Sequence, residues 1–64
     1  MSEAVKGLRE CIPSIERRLT EATELHELAV QIGDLKEAEK YQKMMIVARQ
    51  DLDLIGKLLL SFGS

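Results

Sequence analysis

Sixty-four residues with a formal charge of −2, 31% charged and 45% hydrophobic, make one small domain at most. So much apolar content excludes a disordered chain, and the acidic balance excludes nucleic acid as main partner, since phosphate binding needs a basic surface or stripe. One cysteine, Cys11, excludes an internal disulfide, and no CxxC or Cys/His cluster marks a zinc site.

Leu, Glu, Ala, Lys and Arg dominate and aromatics are nearly absent, a coiled-coil-like composition. The expected fold is all-α: residues 1–64 form a single antiparallel two-helix hairpin. Met1 reads as an expression start and Gly63-Ser64 as a cloning remnant. Helix one is expected over about residues 2–32. Its apolar positions, Val5, Leu8, Ile12, Ile15, Leu19, Ala22, His26, Ala29 and Ile32, recur at alternating spacings of three and four, a heptad stripe. Pro13 interrupts the helix chemically, because a proline inside a helix removes a hydrogen bond and costs ~3 kcal/mol. The stripe passes through it without a phase break. That favours a helix kinked or locally interrupted around residues 9–13 over one beginning at Pro13, where Ile12 would be a poor cap.

Gly33 is suited to the left-handed residue that closes a helix. Asp34 follows as an N-cap, and Asp34-Leu35-Lys36-Glu37 has capping-box spacing. Helix two is expected over about 35–61, with a stripe of Leu35, Ala38, Tyr41, Met45, Ala48, Leu52, Ile55, Leu59 and Phe62. If the chain reverses at Gly33-Asp34, facing residues have numbers summing to 67. Nine layers result, from Ile32 with Leu35 to Val5 with Phe62, and Ala22 with Met45 sets small against large.

Apolar residues remain once the layers are filled: Leu25 and Leu28 on helix one, and Met44, Ile46, Val47, Leu54, Leu58 and Leu60 on helix two. They either widen the stripe beneath Lys and Arg stems or form a second face. Such a face would bury itself in a homodimeric four-helix bundle or under a partner helix.

No catalytic or cofactor machinery is legible, and the expectation is a non-enzymatic protein. His26-Glu27-Leu28-Ala29-Val30 begins like a zinc-protease motif but carries Val30 where the second ligand belongs, and a di-iron site would need Glu in place of Thr23. His26 instead faces Tyr41 as a polar core layer. Cys11 lies roughly 22 Å along the helix from His26 and reads as a partly buried structural thiol. Asp51 and Asp53 fall on different faces and read as solvated charges. Lys36, Lys40 and Lys43, at i, i+4 and i+7, form a cationic strip, though Glu39 precedes Lys43 at a spacing that merely braces a helix. The lone thiol fits a reducing, cytoplasmic compartment, and no run approaches the ~18 apolar residues of a transmembrane helix. The N-terminus has no basic-then-apolar leader pattern.

Ile15, Arg18, Ala22, Leu25, Ala29, Gly33, Asp34, Ala38 and Tyr41 resemble the pattern of the helical-hairpin repeat called DM-fourteen, found in the lethal-giant-discs (coiled-coil and C-two domain) family. The resemblance covers about residues 15–55. It implies binding to acidic Shrub-type subunits of ESCRT-III through basic residues, with Lys40 and Lys43 at basic positions, and recruitment to endosomal membranes through that partner. Val30 stands where the repeat often has lysine, and Ala22 where it usually has an aromatic. The turn is also similar to the Rab-binding hairpins of rabenosyn-type effectors, which imply an apolar patch of Leu25, Leu28, Ile32, Leu35 and Met44 gripping a GTPase. Gly33-Asp34, Ala38 and Tyr41 echo tetratricopeptide and microtubule-interacting-and-trafficking helices more weakly; those folds need a third helix, for which 64 residues leave no room.

Overall fold

The computed structural model describes residues 3–63 and consists of two helices, α1 (Glu3–Ile32) and α2 (Leu35–Gly63). They form the antiparallel hairpin expected, 47 Å long, 15 Å wide and 12 Å thick. Met1, Ser2 and Ser64 lie outside the described residues, and with them the expected helical start at Ser2 and part of the suggested Gly63-Ser64 remnant.

The reversal takes two residues, each doing a specific job. Gly33 has φ 79°, the left-handed region that a side chain makes costly. Its N–H donates to the Val30 carbonyl at 3.1 Å, and the Asp34 N–H donates to the Ala29 carbonyl at 2.9 Å. This is the Schellman pairing that satisfies the last carbonyls of a helix. Asp34 then opens α2: its Oδ1 accepts from the Glu37 N–H at 3.2 Å, and its carbonyl accepts from the Ala38 N–H at 3.0 Å. The capping box is thus half-made. The Asp34 N–H, which a reciprocal Glu37 would have taken, already serves α1.

So short a turn forces the helices close together, and the sequence supplies alanines where they meet. The buried residues are Val5, Ala22, Ala29, Ala38, Ala48 and Ile55, all on the two expected stripes. Ala29 and Ala38 share the layer beside the turn, where a larger pair would wedge the helices apart. Most other stripe residues, among them Ile12, Ile15, Leu19, Met45 and Leu52, are half-buried.

Several expectations are corrected. Ile32 and Leu35 do not form a core layer: they are 72% and 75% exposed, because a layer at the turn has a neighbour on one side only. At the other end Phe62 is exposed although Val5, its expected layer partner, is buried, so the Val5–Phe62 layer is not closed. The helix is not interrupted at Pro13; α1 runs through it unbroken. Arg9, whose carbonyl loses its donor to the proline, and Pro13 itself are both exposed, so water can satisfy the orphaned group. Finally, α2 extends two residues beyond the expected 61.

Candidate interaction surface

Among the described residues no side chain larger than alanine is completely sealed from solvent, and the six buried residues include four alanines. The apolar side chains that could have enlarged this core stand outside it. Leu25, Leu28, Met44, Val47 and Leu54 are between two-fifths and three-fifths exposed.

They are not scattered. An open groove of about 390 Å³ runs along the seam between the helices, floored by Ala22 and Ala48 and walled by Leu25, Met44 and Val47. Methyl-sized floor residues create the depression, since a small side chain on the seam leaves the space that a leucine would fill. Arg18 and Glu21 from α1, with Lys43 and Asp51 from α2, mark the rim. Leu28 adjoins the groove in a shallower patch with Glu21, Glu24 and Leu25. Of the expected apolar patch, the structure therefore unites Leu25 and Met44 and puts Leu28 beside them. Ile32 and Leu35 sit at the turn and do not line the groove.

Lys36, Lys40 and Lys43 are all exposed, as a strip requires. Two of them are locally engaged. The Lys43 Nζ lies 3.4 Å from Glu39 Oε1, the i, i+4 brace, and the Lys40 Nζ stands over the Tyr41 ring, 5.5 Å from its centre. Lys36 has no ion pair among the described residues. Pairs this exposed are weak, so both ammonium groups remain available to an incoming acidic surface, with less unspent charge than the sequence suggested.

Other candidates resolve more simply. Cys11 is exposed, not partly buried, because it falls on the flank of the stripe that holds Ile12. His26 and Tyr41 are both half-buried, but no hydrogen bond joins them, and no buried side-chain nitrogen or oxygen among the described residues lacks a partner. The polar layer therefore keeps its polar ends toward water. Thr23 turns its hydroxyl to the Leu19 carbonyl at 2.7 Å, as Thr20 does to Glu16 at 3.0 Å. Asp53 pairs with Lys57 at 3.0 Å, whereas Asp51 is half-buried at the groove rim rather than a solvated bystander. Among the described residues no group of three or more His, Cys, Asp or Glu could hold a metal, and no helix is long and apolar enough to cross a membrane.

Arg18 and Asp51 are rim residues that the sequence marked only as charges, Arg18 within the repeat-like pattern and Asp51 as solvated, without placing them at a groove. A signal was present: Met44, Val47, Asp51, Leu54 and Leu58 repeat the heptad spacing of the core stripe one face round the helix. Searches of family models, curated proteins and solved structures found no match to this chain.

Proposed function

We propose that the chain is a non-enzymatic protein-interaction module whose groove between α1 and α2 receives an apolar helical surface. The open groove carries this reading. Its alanine floor and its Leu25, Met44 and Val47 walls have the size and chemistry of a slot for a helix presenting aliphatic residues at i, i+3 and i+4. A mixed-charge rim around an apolar centre is also the layout of protein interfaces. Two partner classes follow from the resemblances, a Rab-type GTPase gripped through the apolar patch and an acidic ESCRT-III-type helix held by the lysine strip in endosomal sorting. The groove favours the first mode of contact, because Leu25 and Met44 converge there, whereas the exposed lysines line no comparable concave site as a strip.

Titrating the fluorescently labelled chain with an ESCRT-III subunit and with a GTP-loaded Rab separates the modes. In apolar docking, Leu25→Asp or Met44→Asp abolishes binding and added salt changes little. In charge-led docking, reversing Lys36, Lys40 and Lys43 abolishes it and salt weakens it steeply. If binding survives both sets of changes, neither surface is the site and the proposal fails.

A further inference from the structure

We infer that the groove's occupant, in the chain by itself, is a second copy of the same hairpin, the two closing into a four-helix bundle with both turns at one end. This rests on the reading of the groove as a helix-docking site and names what docks there. Three observations point to a copy rather than a foreign helix.

The first is self-complementarity. The row that lines the α1 side of the groove, Arg18, Glu21 and Leu25, continues at the same heptad spacing through Ser14, Cys11 and Gly7. The row on the α2 side, Met44, Val47 and Asp51, continues through Leu54 and Leu58. Thus one half of the α1 row is small and the facing half of the α2 row is large. A rotation about the hairpin's long axis lays the α2 row of one copy over the α1 row of the other at the same level. Leu25 then meets the second copy's Met44, Ser14 meets its Leu54, and Cys11 meets its Leu58. Small residues receive large ones in the half of the seam away from the turns, Leu25 and Met44 meet as an apolar pair nearer them, and every neighbouring helix is antiparallel.

The second is charge. Arg18 and Asp51 line one groove at the same level, and Asp51 is half-buried, yet no ion pair forms between them within the chain. The same rotation sets each Arg18 against the Asp51 of the other copy, giving two equivalent unlike-charge contacts in the middle of the seam. Placing the turns at opposite ends would instead bring the two Asp51 carboxylates together, which their repulsion disfavours. At −2 per chain, overall repulsion between copies is small.

The third is length. The hairpin is 47 Å long, and a second hairpin has that same length, so it can lie along the whole face and cover Leu54 together with the groove. A short foreign helix would cover the groove alone and leave Leu54 in water.

Sedimentation equilibrium on the unaltered chain, Arg18→Asp, Asp51→Arg and the double exchange Arg18→Asp/Asp51→Arg tests the inference. Both positions lie at the groove rim, Arg18 exposed and Asp51 half-buried, and circular dichroism on each variant checks that helicity is kept. The unaltered chain sediments as a dimer, each single change weakens association roughly tenfold or more, and the double exchange restores it. A monomer at millimolar concentration, or a double exchange no tighter than the singles, overturns the inference. A monomer that still binds an added helix through Leu25 and Met44 would refute the copy alone and leave the docking groove standing; loss of both would refute the groove.

Discussion

Replacing Gly33 by alanine adds one methyl group to open space, since nothing lies within 4 Å of where the Cβ would stand. Any cost must therefore come from the backbone. At φ 79° an alanine sits in the left-handed region at a penalty of ~1–2 kcal/mol. Gly56 makes a matched control. It lies inside α2 with equally open space at its Cβ, and alanine there should stabilise by ~0.5–1 kcal/mol through helix propensity. The same chemical change is thus expected to have opposite signs at two positions. With a urea slope of ~1 kcal/mol per M for a chain this small, the midpoint should fall by roughly 1–2 M for Gly33→Ala and rise by about 0.5–1 M for Gly56→Ala. Far-ultraviolet circular dichroism at one fixed protein concentration reads both. A Gly33→Ala chain as stable as, or more stable than, the parent would mean that residue 33 is helical and that the chain runs on as one long helix.

Three further outcomes follow from the same architecture. Asp34→Ala removes the acceptor for the Glu37 N–H and should cost ~1 kcal/mol in urea unfolding, while Asp34→Asn or Asp34→Ser retains most of it. Pro13→Ala restores a donor to the Arg9 carbonyl inside an otherwise continuous helix and should stabilise by up to ~3 kcal/mol; a neutral result in thermal melts would mean that the helix is already broken there. Ala38→Leu enlarges a buried residue in the layer next to the two-residue turn and should destabilise by ~1–3 kcal/mol, whereas Leu35→Ala, at a 75% exposed position, should change the melt by less than ~0.5 kcal/mol.

The hairpin was legible because its signals are local and mutually consistent. Gly33 and Asp34 encode the turn through backbone sterics and capping, and the stripes on either side share one register about it. The layer at the turn was misjudged because pattern alone treats Ile32 and Leu35 like interior positions. Burial depends on neighbours above and below, and a terminal layer has one of these. At Pro13 the pattern was a better guide than propensity: the stripe that passes through it without a phase break matches a helix that continues through the proline, where solvent access at Arg9 and Pro13 lets water satisfy the freed carbonyl. At the surface, the sequence named Leu25, Leu28 and Met44 correctly as apolar residues outside the core. It did not show that two alanines hollow out the seam beside them, which is a property of how the helices meet. Arg18 and Asp51 were read without the groove because a charge on a heptad flank looks like solvent-facing charge until the second helix places it at one.

The most direct test of a docking face along α1 and α2 is an isotope-filtered NOE measurement on an equal mixture of labelled and unlabelled chains, observed at the Leu25 and Met44 methyl groups. Cross-peaks from these methyls to protons of another molecule, Leu25 to Met44 foremost, are expected. If every NOE to them arises within its own chain at millimolar concentration, and adding a helical partner produces none, the face does not dock a second surface.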